Sequence, residues 1–156
     1  MNDLSPEAVQ RLMHAQAKLR PPLDQIQEWA GQHPDSFAGL WLDNDAAVNG
    51  TGPVVVTVAT TSEDPSIDAD ELGLLTGLAD SLVVVHRPHS RKELEREAQR
   101  IVSKFMRATG VNGVGIMIRE GALEVMLPAP QPELEERVAA ATHVPVQIVY
   151  GYARTL

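Results

Sequence analysis

Residues 83–127 read VVVHRPHSRKELEREAQRIVSKFMRATGVNGVGIMIREGALEVML, and this stretch decides the fold of the chain. Its β-branched start at 83–86 predicts a strand, the segment from Ser90 to Thr109 predicts a helix, and segments 114–118 and 123–127 predict a tight hairpin. A later helix and strand, opening at Pro132 and closing at Tyr150, complete a β-α-β-β-α-β order. This order is a split βαβ, or ferredoxin-like, arrangement. We expect it to be a platform for binding rather than a catalyst.

Local signals support each element of this stretch. Ser90 with Glu93 forms the pattern of a capping box at a helix start. Apolar residues then recur on one helical face, as expected for a helix packed on a sheet; they are Leu94, Ala98, Ile101, Phe105 and Ala108. Glu120-Gly121 supplies the hairpin turn, where glycine can adopt a positive φ.

The first half of the chain predicts helices followed by a β-hairpin. Ser5-Pro6 is typical of a helix start, and Pro21-Pro22 separates this helix from a second one. Strands are predicted at 37–43 and 54–60, joined by a polar loop. Asp68 or Asp70 is the predicted cap of the next helix.

The fold class is therefore predicted as α+β in two parts. Residues 1–80 form an N-terminal helical and β-hairpin subdomain, and residues 81–156 form the β-α-β-β-α-β subdomain with a C-terminal tail. Charge follows the same division, because the first part has 13 acidic and 3 basic side chains and the second has 8 acidic and 10 basic. The net charge of −8 argues against nonspecific binding to nucleic acid, which requires neutralised phosphates.

The composition excludes several kinds of site and protein. The absence of cysteine excludes disulfides, thiolate metal sites and cysteine nucleophiles. No apolar run reaches the ~20 residues that cross a bilayer, so no membrane association is expected. The residues at 1–6 have neither a basic nor an apolar signal region, which predicts a cytoplasmic protein by default.

Two clusters of potential metal ligands occur in the sequence, and we predict that neither binds a metal ion. His86 and His89 flank Arg87-Pro88, and the intervening proline prevents them from sharing one helical face. We predict no metal site there, since a third ligand and a rigid frame are also needed. Five carboxylates fall within residues 63–71, but without the glycine and glutamate spacing of an EF-hand. They are interpreted as a hydrated loop leading into a helix.

The predicted helix after Ser90 has a basic row, formed by Lys92, Arg96, Arg100, Lys104 and Arg107. Glutamates interleave with it, which is normal for an exposed, ion-paired helix face. Recognition of RNA would also require aromatic residues on the central strands. Those strands have Gly115, Met117, Glu124 and Met126 instead, so no nucleic-acid partner is predicted. No serine or histidine lies in a nucleophile motif, and we predict no enzyme and no cofactor.

Three segments, in order, show a family resemblance. They are DSFAGLWLD at 35–43 with the strand that follows, VVVHRPHSRKEL at 83–94, and the hairpin from Val114 to Leu127. Together they resemble the pro-regions of secreted bacterial serine proteases of the α-lytic and streptogrisin type, here without the protease domain. The likeness covers residues 25–151, and FAGLWLD is its most distinctive motif.

The resemblance implies a non-catalytic propeptide-like module, an intramolecular chaperone that helps a chymotrypsin-like serine protease fold and then inhibits it. The sheet of the second part would pack on the protease, and the tail would lie in the active-site cleft with Leu156 in the specificity pocket. The partner-binding residues implied are Tyr152, Ala153, Arg154, Thr155 and Leu156 of the tail, and Ile116, Ile118, Leu123 and Val125 of the hairpin. A member of this family would act extracellularly.

A second interpretation stays open at this point. The chain could be a stand-alone protein-interaction module without a protease partner, forming a homodimer through a sheet edge. The uneven charge of the two parts motivates this alternative.

Overall fold

The computed structural model describes residues 4–106 and 110–151. The chain forms two compact units, which we call unit 1 (residues 1–87) and unit 2 (residues 88–156). Both combine helices with a small three-stranded sheet, so the predicted α+β class and the predicted order of elements are confirmed. The division between the units falls between Arg87 and Pro88, seven residues after the predicted boundary at 80/81.

Unit 1 begins with helices and continues with strands alternating with helices. Its elements are α1 (Pro6–Ala17), α2 (Arg20–Gln32), β1 (Phe37–Asp43), α3 (Asp45–Asn49), β2 (Val55–Thr60), α4 (Pro65–Thr76), a short 3-10 helix (Ala79–Ser81) and β3 (Leu82–His86). The strand order is β1-β2-β3, with β1 antiparallel and β3 parallel to β2. The predicted hairpin of β1 and β2 is present, and its connection contains the short helix α3.

The core of unit 1 lies between its sheet and its helices. Ile26 and Trp29 of α2 and Leu72 of α4 are buried against Val56 and Val58 of β2. The two valines are two residues apart and therefore point to the same face of the strand. Both helices thus cover one face of the sheet.

Helix starts in unit 1 follow the capping rules, with one correction. The hydroxyl of Ser5 accepts a hydrogen bond from the backbone N–H of Ala8 at 3.1 Å, as the sequence predicts. Helix α4 begins earlier than predicted, because Asp64 is its cap and accepts from the N–H of Ser66 at 3.1 Å. Asp68, which the sequence offered as a cap, lies inside this helix. Pro65 at the first helical position explains the earlier start.

Unit 2 has the order helix, strand, strand, helix, strand. Its elements are α5 (Arg91–Phe105), β4 (Gly113–Met117), β5 (Ala122–Leu127), α6 (Pro132–Ala140) and β6 (Val146–Tyr150). The strand order is β4-β5-β6, with β4 antiparallel and β6 parallel to β5. Buried residues of both helices pack on one side of this sheet, among them Leu94, Ile101, Phe105, Leu134 and Val138.

Strand β3 pairs differently from the sequence interpretation. The sequence assigned it to the second part, as the first strand of the β-α-β-β-α-β order. It pairs in parallel with β2, with Val58 opposite Val84 and Thr60 opposite His86, so the sheet of unit 2 has three strands. Parallel neighbours need a crossover connection, and α4 provides it between β2 and β3.

The two units share one topology. In each, a helix precedes two antiparallel strands, and a crossover helix then leads to a third strand parallel to the second. The sequence shows no internal repeat at the level of residue identity. The repeat is therefore one of element order and strand direction.

The hydroxyl of Tyr150 links β6 to α6. It donates a hydrogen bond to Oε1 of Glu135 at 2.7 Å. This bond to the carboxylate raises the pKa of Tyr150 above its ordinary value, because it stabilises the neutral phenol.

The raised pKa predicts how this contact responds to pH. Because the folded pKa lies above the unfolded value of about 10, the contact stabilises the fold fully below that value and is lost as pH rises through the folded pKa. The urea midpoint of the wild type should therefore be higher than that of Tyr150→Phe at about pH 8. The difference between the two midpoints should be smaller at about pH 11. A difference that is unchanged or larger at the higher pH would contradict the assignment.

Candidate binding surface and the His89–Glu93–His143 cluster

The two faces of the unit 2 sheet have different roles. Register places Val114 opposite Val125 and Ile116 opposite Leu123, and all four contribute to the core beneath the helices. The alternate residues point the other way. We call this second side the outer face; it consists of Gly115, Met117, Glu124, Met126, Gln147 and Val149.

The hairpin residues predicted to bind a partner lie mainly on the core side. Leu123 and Val125 are fully buried, and Ile116 packs against the same core. Ile118 follows β4 and lies in the connecting turn, where the N–H of Gly121 donates to the carbonyl of Met117 at 2.9 Å. The alternation predicted from the sequence is present, and the apolar residues chosen from it as partner-binding residues lie in or against the core, because both faces of β5 are largely apolar.

The outer face has apolar residues on either side of a central glutamate. Met117, Met126 and Val149 are half-buried, and Met126 pairs with Val149 across β5 and β6. Glu124 is its charged member and lies between Gly115 and Gln147 in register. Methionine adapts its shape to a partner, so this face has the chemistry of a protein-binding surface.

Two hydrogen bonds hold Gly151, the residue that follows β6. The N–H of Gly151 donates to the carbonyl of Leu127 at 2.7 Å, which extends the β5–β6 ladder beyond the strand. The side-chain amide of Asn112 donates to the carbonyl of Gly151 at 3.0 Å. Residues 152–156, the predicted tail, lie outside the described residues.

Arg100 lies 3.6 Å from Glu97, and Arg91 donates to Glu95 at 3.1 Å. Lys104 lies over the ring of Phe105, 5.6 Å from its centroid. Arg107 lies outside the described residues. Within the predicted basic row, Arg100 is thus paired with an acidic residue of the same helix, as is common on an exposed helix face.

A cluster of two histidines and a glutamate forms at the start of α5. Nδ1 of His89 lies 3.2 Å from one carboxylate oxygen of Glu93, and Nε2 of His143 lies 2.5 Å from the other. The two imidazole rings meet edge to face, with centroids 5.7 Å apart. The hydrogen bond from His143 is the main cause that lowers the pKa of Glu93, and His89 adds to it.

The sequence showed only half of this cluster. His89 and Glu93 are four residues apart at a helix start, but the sequence paired His89 with His86, which lies in unit 1. His143 is 50 residues from Glu93, in the connection between α6 and β6. The carboxylate of Glu93 therefore contacts imidazoles, while its backbone N–H donates to Oγ of Ser90 at 3.1 Å as the capping box predicts.

One groove belongs to unit 1. It has a volume of about 640 Å³ and is lined by α1 and the loop before β2, including Arg11, Lys18 and Thr51. Arg11 donates from its guanidinium to the carbonyl of Val48 at 2.7 Å. None of the predicted site residues that the structure describes, those of the hairpin, lines this groove.

No protein-family model matches this chain, and a search of curated proteins also gives no match. Within residues 4–106 and 110–151, no helix has the length and apolar character needed to cross a membrane.

The assignment of the two sheet faces predicts a contrast in stability. Leu123→Ala should lower the free energy of unfolding by about 2–5 kcal/mol, because it opens a cavity in the unit 2 core. Met126→Ala on the outer face should cost about 1 kcal/mol or less. Urea unfolding of the full chain measures both values, and equal losses would contradict the assignment.

Proposed function

We propose that this chain is a non-catalytic, pro-region-like module that binds a chymotrypsin-like serine protease as folding assistant and inhibitor. The observation that carries the proposal is the ordered resemblance of three segments to such pro-regions. In the fold these segments form β1 with the strand after it, β3 with the start of α5, and the hairpin of β4 and β5. A chain with this function would act outside the cytoplasm.

The geometry of unit 2 supports a specific binding mode. The outer face, with Met117, Met126 and Val149, is the surface of the sheet that we assign to the protease. Gly151, the residue before the tail, is held at the end of β6 by hydrogen bonds with Leu127 and Asn112. In this proposal the tail continues from Gly151 as an extended strand and pairs with the backbone of a cleft.

The tail supplies the inhibitory contact in this proposal. Residues 152–156 would occupy the active-site cleft as a cleaved product does, with Leu156 in an apolar specificity pocket. The sheet would supply the larger contact area. Buried anchors in such interfaces contribute about 2 kcal/mol or more, which corresponds to about a 30-fold change in affinity.

Deletion of residues 152–156 tests the inhibitory contact. The inhibition constant against a purified streptogrisin-type protease should rise about 30-fold or more, because the anchor in the specificity pocket is lost. Leu74→Ser is the matched control, since Leu74 is 90% exposed and belongs to unit 1 rather than to the outer face or the tail. Unchanged inhibition after the deletion would refute the tail mechanism, and no inhibition by the intact chain would refute the proposed function.

One observation favours a second candidate, self-association through a sheet edge. Strand β4 has the sequence GVGIM, without the charge or proline that commonly blocks edge pairing, and it is an edge of its sheet. A second copy of the chain could add its own β4 to this edge. The module would then be a homodimer that needs no protease.

Light scattering on the purified chain tests this second candidate. A homodimer should become a monomer in the Gly115→Lys variant, because a charge on an edge strand opposes pairing. The added side chain has room, since no atom lies within 4 Å of a Cβ placed at Gly115. A wild-type chain that stays monomeric at about 1 mM would contradict dimerisation at this edge.

A further inference from the structure

We propose that His89, Glu93 and His143 form a binding site for a divalent transition metal ion of the zinc class. The ligand atoms are Nδ1 of His89, a carboxylate oxygen of Glu93 and Nε2 of His143. All three lie within 4.8 Å of one another. The proposal rests on unit 2 alone and is independent of the proposed protease partner.

The spacing of the ligand atoms is close to that of a tetrahedral zinc site. Bonds of about 2.0–2.2 Å place the ligands of such a site about 3.3–3.5 Å apart. Nδ1 of His89 lies 3.2 Å from Oε2 of Glu93, which already fits this value. Nε2 of His143 lies 2.5 Å from the other oxygen, Oε1, so the ring would have to move outward by about 1 Å to share a metal ion with the carboxylate. Its side chain is 57% exposed, so the ring has room for this movement.

Hydrogen bonds fix the backbone on both sides of the site. On the α5 side, Oγ of Ser90 accepts from the N–H of Glu93 at 3.1 Å, which fixes the first helical turn. On the loop side, the hydroxyl of Thr142 donates to Glu97 at 3.0 Å and accepts from the N–H of Val144 at 3.3 Å. Thr142 thus ties the loop that contains His143 to helix α5. The ligands are presented by backbone that is already positioned.

A metal-bound histidine commonly donates its second ring N–H to a carboxylate, and Glu97 is placed to supply this carboxylate. Its Oε1 lies 3.5 Å from Nδ1 of His143, and the side chain is only 2% exposed. Both nitrogens of His143 therefore face carboxylates. With a metal at Nε2, the imidazole would still donate from Nδ1 to Glu97. Glu97 is thus a positioning residue of the carboxylate–histidine–metal type.

The ligand set selects the class of ion. Two imidazoles with one carboxylate suit Zn²⁺ and its first-row neighbours, whereas Ca²⁺ and Mg²⁺ require mainly oxygen ligands. Three protein ligands leave one coordination position, which water can fill beside the exposed ring of His143. Binding would join the α6–β6 connection to the start of α5 and so stabilise unit 2.

Calorimetric titration of the chelator-treated full chain with ZnCl₂ tests this site. We expect 1:1 binding with a dissociation constant of about 10 µM or tighter, and no binding of Mg²⁺ or Ca²⁺ at the same concentration. His143→Ala should weaken Zn²⁺ binding about 100-fold, and Glu97→Gln about 10–100-fold. His86→Ala, which removes a histidine of unit 1, is the matched control and should bind as wild type does.

Imidazole NMR spectra of the same titration identify the ligands directly. Of the five histidines, His89 and His143 should shift with Zn²⁺, while His14, His33 and His86 should not. Circular dichroism confirms that each variant is folded. Absence of 1:1 binding, wild-type affinity in folded His143→Ala, or zinc-dependent shifts only at the other three histidines would each overturn the proposal.

Discussion

The parallel pairing of the last strand of each unit with its middle strand is the constraint on which the structure depends. Parallel neighbours cannot be joined by a tight turn, so β2 and β3 need α4 between them, and β5 and β6 need α6. In unit 2 the crossover helix packs beside α5 on one face of the sheet. Leu123 and Val125 become core, and Met117 and Met126 are left on the outer face.

The same constraint assembles the histidine cluster. Because β6 lies parallel to β5, the α6–β6 connection returns to the end of the sheet where α5 begins. Thr142 then contacts the buried carboxylate of Glu97, and His143 reaches Glu93. At its other end, β6 passes into Gly151, whose N–H donates to the carbonyl of Leu127 and extends the ladder. One strand thus positions both the proposed metal site and the start of the tail.

Local patterns in the sequence predicted most of the helices and strands, but they did not predict which distant segments pair. The Ser5 and Ser90 caps, strand β1 and the β4–β5 hairpin follow from neighbouring residues. The partner of β3 does not, because a β-branched run can join either sheet, and only the crossover through α4 determines its place. His143 was missed for a similar reason, since its distance from Glu93 in sequence hides their contact. The core and outer faces of β5 could not be told apart because Val125 and Met126 are both apolar.

We propose that unit 2 meets a protease through its outer face and tail. Methyl NMR of the chain with an inactivated streptogrisin-type protease tests this proposal most directly, because Met117 and Met126 lie on the outer face and Met13 lies in unit 1. We expect Met117 and Met126 to shift or broaden on titration, while Met13, which is 66% exposed, stays unchanged. Changes at Met13 alone, or no change at any methionine, would contradict it.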